Sequence, residues 1–455
     1  MSSVRRSDAV KRLLPVLLAA ILLCGCLPTP ETDAVVNRGE EDLSALIQTT
    51  PAPGAVTVRD AVAALPQSAS AEAGCIAGRL LLTEETDVGG AALAFDADVI
   101  VPDLDRWAVY AVDRGEWNAG QRLAVLNAAA DGAQICAPGM YLHADKAYWE
   151  GVLKTLENSE RVHELDRSRA ENGEQTWTES VMEYYRAAPQ SAERIPFDET
   201  KIGDAEPVDA FWFDGRMDAY LDFYADASHV RLSVFDRRIV PKAQVLQDGG
   251  RIGEPSLTLA EAVERAQAFL SRIGFADAAF AEAETAQRIH MYTLEPEATG
   301  WRLVFRKRIN GVAGIAPRFP EANPEETYAE PWPQEIAELY IDRDGIWSLD
   351  WQNPAAIAEP LSESTAILDF DTVLRLVRAR LRADNGNADR RQIASVCVTK
   401  LRLGYCIVPQ KDAPDRGWTL PVWIADYEAT FEDGRVAAYS VVLSALNGAN
   451  LHLAQ

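Results

Sequence analysis

Thr258-Leu259-Ala260-Glu261 opens a stretch in which Val263, Ala266, Phe269, Leu270 and Ile273 fall on one helical face before Gly274. Threonine followed three residues later by glutamate is the spacing of a capping box, and a glycine after the last apolar position is a helix stop. Downstream, Trp301 to Ile309, a turn at Asn310-Gly311, Glu338 to Ile341, a turn at Asp344-Gly345 and Ile346 to Trp351 read as hairpin strands. The unit is one helix followed by an antiparallel sheet.

The pattern recurs. Asp369 is placed to cap a helix whose face is Phe370, Val373, Leu374, Val377 and Leu381, ending near Gly386. Strands are expected at Ile393–Leu403, Trp418–Phe431 and Ala438–Leu446, with Asp433-Gly434 between the last two and a short final strand after Asn447-Gly448. Leu339 to Leu349 aligns with Val442 to His452, and the turn glycines Gly345 and Gly448 lie 103 residues apart. Two helices, each laid on an antiparallel sheet, predict an α+β fold with repeats over residues 255–360 and 361–455.

Residues 85–250 are less regular. Val99 to Pro102 and Ala108 to Val112 read as strands around a turn at Asp103 to Asp105. Helical patterns follow over Asn118–Ala130, Asp145–Leu156 and Thr178–Ala187. An aromatic, β-branched stretch then runs from Ala210 to Arg237 around Asp214-Gly215. These elements are expected to form a separate N-terminal α+β domain.

The first 26 residues carry a different physics. Arg5, Arg6, Lys11 and Arg12 make a cationic start, and Leu13 to Leu23 is an apolar run of 11 residues interrupted by Pro15. Such a run is too short for a hydrocarbon core that takes about 20 apolar residues, so it reads as an export signal. It ends in Leu23-Cys24-Gly25-Cys26, which resembles the lipobox of exported lipoproteins, with Cys24 standing where alanine or serine is usual. The expectation is a signal peptide over 1–25, lipid on Cys26, and a lipidated N-terminus and tether over 26–84, polar and proline-containing to about Gly54. Fully extended, about 25 residues reach at most roughly 85 Å. The body is therefore expected on the extracytoplasmic face of the cell membrane.

At 48% hydrophobic residues with 11 Trp, the chain has ample material for cores. Its formal net charge is −25. Residues 1–25 carry four basic side chains and one acidic, so their removal takes the charge to about −28. A polyanion of that size is repelled by nucleic acid and by anionic headgroups, which argues against a nucleic-acid partner. Besides Cys26, Cys75, Cys136, Cys397 and Cys406 are available for disulfides outside the cytoplasm. Pairing within each half, Cys75–Cys136 and Cys397–Cys406, is the simplest scheme. The second pair fails if Val396 to Val408 is one strand, and the plain alternative is four small buried apolar side chains.

Chemistry is sparse. His143, His163, His229, His290 and His452 are too far apart in sequence to form a paired metal motif, and no CxxC, HExxH, GxSxG, Walker loop or dinucleotide-binding glycine cluster occurs. No cofactor, metal or catalytic residue is assigned. Asp342-Arg343-Asp344-Gly345 resembles part of a calcium loop, but it lacks the third ligand position and the distal glutamate, and Ile346-Trp347 follows in strand pattern. It is expected to be a hairpin turn. Residues 317–333 form a long segment joining Phe319, Tyr328 and Trp332 with four glutamates and five prolines. Prolines reduce the conformations such a segment loses on binding, and aromatics beside acids suit a sugar face or a cationic peptide. The bland reading is that these aromatics cap a sheet edge.

The lipobox, Pro28-Thr29-Pro30-Glu31, Arg306 to Gly311, Tyr340 to Ile346, Trp351 to Pro354 and Leu420 to Trp423 together resemble an uncharacterised family of exported lipoproteins from clostridial-type bacteria. The helix-then-hairpin unit is more distantly similar to PepSY-like and YycH/YycI-like extracytoplasmic domains. The likeness covers most of the chain and rests on turns and core aromatics. It implies a fold rather than a reaction, and a non-catalytic role in binding a protein partner at the cell envelope. A peptide- or glycan-binding lipoprotein using the 317–333 segment is the alternative, and an unrecognised hydrolase with an acid pair is the third reading.

Overall fold

Each expected helix forms where its cap stands, but the two lie on different sheets. The computed structural model describes residues 47, 57–68, 74–88, 91–136, 145–191, 196–199, 202, 208–213, 217–223, 229–235, 239–240, 253–290, 296–317, 334–385, 392–410 and 413–451. The α+β class holds. One sheet takes its strands from both ends of the chain: β1 (Cys75–Val88), β2 (Ala91–Pro102), β3 (Val109–Arg114), β14 (Ala355–Ser362), β15 (Ile393–Gln410), β16 (Ala413–Phe431) and β17 (Val436–Ser444). Everything between them builds the other: β4 (Ile135–Cys136), β5 (Val208–Phe213), β6 (Met217–Phe223), β7 (His229–Phe235), β8 (Ile239–Val240), β9 (Ala278–His290), β10 (Pro296–Ile309), β11 (Val312–Ala313), β12 (Ile336–Asp342) and β13 (Gly345–Gln352).

This arrangement corrects the expected N-terminal domain. The strands of residues 85–250 are divided between the sheets, and β2 does not pair with β3 across Asp103 to Asp105. Instead β2 runs parallel to β15, from Ala92 beside Ser395 to Ile100 beside Arg402, with a shift between Val398 and Lys400. β3 pairs with β14 and β16. The physical reason is apolar matching. Leu93, Phe95, Ala97, Val99 and Val101 alternate along β2 as Val396, Val398, Leu401 and Leu403 do along β15, and all are buried in one core.

Four capped helices pack on the two sheets among the described elements. On the second sheet, α2 (Ala119–Ala130) and α6 (Leu259–Arg272) share one core with Leu303, Phe305, Leu339, Leu349 and Trp351. On the first, α1 (Val58–Ala63) and α7 (Phe370–Asp384) share another with Leu403, Tyr405, Trp423 and Leu443. Each starts on a side-chain cap: Thr57, Asn118, Thr258 and Asp369, in chain order. Between β4 and β5 stand α3 (Lys146–Glu157), α4 (Glu160–Glu171) and α5 (Trp177–Ala187), closed on a small core of Trp149, Val152, Leu156, Val162 and Val181.

The folded body also begins earlier in the chain than composition suggests. Ile47 is buried at 1% exposure with Val408, Leu420, Val422, Ile424 and Val442, on the side of the first sheet opposite α1 and α7. Its carbonyl accepts a hydrogen bond from Thr365 Oγ1 at 2.9 Å. Leu420 to Tyr427 is apolar on both faces apart from Asp426, so both faces need cover, and Ile47 supplies part of it. α1 and the start of β1 likewise belong to the body. The stretch from Cys26 to Ile47, about 21 residues, reaches at most roughly 75 Å.

The parallel pairing of β2 with β15 gives a direct test. Ala94 stands beside Cys397 in register, and neighbouring strands place such Cα atoms within reach of a disulfide. Mild oxidation of an Ala94→Cys variant is expected to yield a peptide pair linking 94 to 397, read by non-reducing peptide mapping. A variant that oxidises only through other cysteines would contradict the register.

Candidate functional site at the joint of the two sheets

β2 accompanies β15 only as far as Arg402, which leaves the edge of residues 403–408 to be completed by something else. The completing residues come from the second sheet. After the turn Asn310-Gly311, both at positive φ, β11 returns along β10 and the chain crosses to β15. Gly314 bridges Tyr405 in parallel, and Ile315 N–H donates to the Tyr405 carbonyl at 2.8 Å. The Ile315 carbonyl accepts from Cys406 Sγ at 3.0 Å and that of Ala316 from Arg402 Nη2 at 3.2 Å. Gly404 permits the approach, because a Cβ there would stand 2.8 Å from Ile315 Cγ2.

Gln334 closes the same edge from the other end of the 317–333 segment. Its side-chain amide donates to the Ile407 carbonyl at 3.1 Å and accepts from the Ile407 N–H at 3.0 Å, so one side chain replaces a strand neighbour. Glu335, 3% exposed, faces back into the second sheet. Its carboxylate meets Lys307 Nζ at 3.2 Å and accepts from Trp351 Nε1 and the Ala355 N–H, both at 3.1 Å. Burial raises the Glu335 carboxyl above its ordinary value, and Lys307 opposes that rise. Trp351 stacks on Phe275 at 5.1 Å and meets Trp117 edge-on at 4.2 Å, so the acceptor sits in an aromatic wall.

Phe319, Tyr328, Trp332 and Cys26 lie outside the described residues; the joint fixes only where the 317–333 segment leaves and re-enters the body. Cys397 and Cys406 lie on the single strand β15, nine residues apart and so about 30 Å along it, which rules out the expected Cys397–Cys406 bond. Cys75 opens β1 in one sheet and Cys136 lies in β4 of the other, so a Cys75–Cys136 link would staple sheet to sheet rather than close a loop within one unit. Burial pushes the Cys406 thiol up to about 12, which leaves little thiolate for nucleophilic chemistry near neutral pH.

Asp342-Arg343-Asp344-Gly345 is the hairpin turn its pattern predicts, with Asp342 paired to Gly345. Its acids are taken by an arginine. Arg288 Nε lies 3.1 Å from Asp342 Oδ2 and Nη2 lies 2.8 Å from Asp344 Oδ2, while the guanidinium rests 3.9 Å over the Trp347 ring. Trp347 Nε1 donates to Asp342 Oδ1 at 2.9 Å. Among the described residues no group of three or more His, Cys, Asp and Glu side chains is arranged to hold a metal. Nor is any helix among them long and apolar enough to cross a membrane.

Sequence reasoning missed one groove. A cleft of about 310 Å³ lies between α2, α6 and the β12–β13 turn, floored by Leu232, Phe269, Ile341 and Ile346 and rimmed by Arg265 and Asp344. Its walls come from four separated segments, so no local pattern announces it. The half-buried Arg302, between Glu284 and Glu338 on the sheet face away from α6, was equally invisible.

No protein-family model matches the chain, and no curated protein matches it. Among solved structures, an uncharacterized protein from Eubacterium rectale ATCC 33656 is similar at 12% identity and a TM-score of 0.45, covering 81% of this chain and 92% of that one. The Bacillus megaterium YpeB C-terminal domain is similar at 9% identity and a TM-score of 0.19, covering 54% and 82%. At these scores neither likeness bears on function.

Proposed function

We propose that the chain is an extracytoplasmic lipoprotein, held to the cell membrane by lipid on Cys26, whose folded body binds a protein partner at the cell envelope and catalyses no reaction. Leu23-Cys24-Gly25-Cys26 behind a cationic start and an 11-residue apolar run is the observation that carries it. The helix-then-hairpin pattern of the sequence distantly resembles PepSY-like and YycH/YycI-like domains, and that resemblance implies a binding role. Ile47 in the body limits how far that body stands from the bilayer. The joint supports partner binding because both ends of the 317–333 segment are held by backbone-directed hydrogen bonds to one strand. A held segment rich in proline loses less freedom on engaging a partner.

Photo-cross-linking from positions 328 and 332 in growing cells is expected to capture one envelope protein reproducibly. Capture of no partner from either position, with the protein correctly anchored, would remove this reading. The second reading, a peptide or glycan ligand on Phe319, Tyr328 and Trp332, is favoured by the aromatic and acidic make-up of the segment. It predicts a thermal shift with a cell-wall peptide or oligosaccharide that Trp332→Ala diminishes.

A further inference from the structure

Residues at i, i+3, i+4 and i+7 share one face of a helix. On α6 these are Arg265, Ala268, Phe269 and Arg272, and that face lines the cleft of about 310 Å³. Ala128 and Ala129 at the end of α2 form another wall, with Leu232, Ile341 and Ile346 on the floor. Alanine at three wall positions leaves the room, since none of those side chains reaches across. Water over such a floor has few hydrogen-bond partners, and an apolar group that displaces it gains affinity.

Charge stands at the rim, and each acid at it or beside it is already engaged. Asp131, the left-handed C-cap of α2 at φ 48°, lies 3.5 Å from Arg272 and closes one end of the cleft. The Arg272 guanidinium also rests 5.8 Å from the centre of the Phe269 ring. Asp344 is held by the buried Arg288 at 2.8 Å. Glu261, one turn before Arg265 on α6, accepts from the Thr258 N–H at 3.0 Å and from Thr258 Oγ1 at 2.7 Å. Arg265 differs. It stands on the rim with no carboxylate in salt-bridge reach among the described residues.

We propose that this cleft binds a free medium-chain carboxylate, its acid group on the Arg265 guanidinium and its aliphatic chain along the floor toward Arg272. Arg265 and Arg272 are seven helical residues apart, which at about 1.5 Å each separates them by about 10 Å along the axis. With carbon–carbon bonds of about 1.5 Å, an acyl chain of about eight carbons covers that length. A peptide fits less well, because no side chain of the floor offers its amides a partner. The net charge of −25 does not forbid an anion here. At physiological salt, charges beyond roughly 8 Å are largely screened, so the adjacent guanidinium decides. The ligand site is independent of partner binding through the 317–333 segment.

The probe is octanoate, titrated into the full folded chain and followed by calorimetry. Saturable binding at one site is expected. Octanol, which lacks the charge, and butyrate, which lacks the length, should each bind tenfold or more weakly. Arg265→Gln should weaken octanoate by tenfold or more and leave octanol unchanged. Ala268→Leu places a larger side chain in the cleft at an exposed helix position, where leucine is nearly as good a helix former as alanine. It should abolish binding of both probes while the thermal midpoint stays as in wild type. Equal binding of octanoate and octanol, octanoate affinity unmoved by Arg265→Gln, or full binding in a folded Ala268→Leu variant would overturn the proposal. Octanoate uptake that never saturates would overturn it as well.

Discussion

Replacing Glu335 by alanine is expected to lower the free energy of unfolding by about 3–5 kcal/mol, the loss seen when one partner of a buried ion pair is removed. Glu335 is 3% exposed and Lys307 is 16% exposed, so neither charge is well solvated when the other is gone. The Trp351 and Ala355 donors also lose their acceptor, and each buried orphan costs on the order of 1–3 kcal/mol. Trp351 belongs to β13 and Ala355 to β14, the last strand of one sheet and the next strand of the other. The carboxylate thus fixes the point at which the chain passes between sheets. Removing both charges, as in a Glu335→Met and Lys307→Met double variant, should restore most of the loss, because no uncompensated ion remains. Denaturant midpoints at neutral pH read these differences. A loss below about 1 kcal/mol for Glu335→Ala would show that the pair is better hydrated than its burial implies.

The sign of the pH dependence follows from burial. The folded-state value for Glu335 is raised above the ordinary 4.5, so its contribution to stability is greatest below that value and declines as pH rises through the raised one. Relative to a Glu335→Gln variant, whose amide does not titrate, the wild-type protein should gain stability as pH falls from neutral toward 4.5. A gap that moves the other way would mean that Lys307, not burial, governs this carboxyl.

The helices were legible because their signals are local. Thr258 with Glu261, and Asp369 with its downstream apolar face, state start, direction and buried side within one turn or two. α4 was missed for the converse reason: of its residues only Val162 is buried, so it has no apolar stripe to find, and Ser159 as a cap is the sole signal. β1 was missed as well: its first ten residues fall in the stretch assigned to the tether, where no turn signal was sought. Parallel pairing of β2 with β15 has no such signal, since the strands are separated by some 300 residues and nothing near Phe95 points to Val398. Gln334 and Glu335 fared worst. In sequence they look like two more polar residues ending an acidic, proline-rich segment, and only the meeting of both sheets gives them partners.

Retention at the membrane is expected to fall from near complete to near zero when Cys26 becomes serine. Two or three acyl chains, at about 0.8 kcal/mol per buried methylene, hold a protein effectively permanently, whereas an 11-residue apolar run interrupted by proline is too short to span. No helix among the described residues is long and apolar enough to cross a membrane, and the chain's negative charge disfavours adsorption to anionic lipid. Wild-type cells should hold the chain in the membrane fraction at mature size, with residues 1–25 removed. The Cys26→Ser variant should accumulate at precursor size or leave the membrane fraction for the medium or periplasm. Blotting both fractions from growing cells for amount and size is the most direct measurement of the anchor on which the assigned compartment rests. A serine variant that stays membrane-bound at the same size as wild type would contradict it.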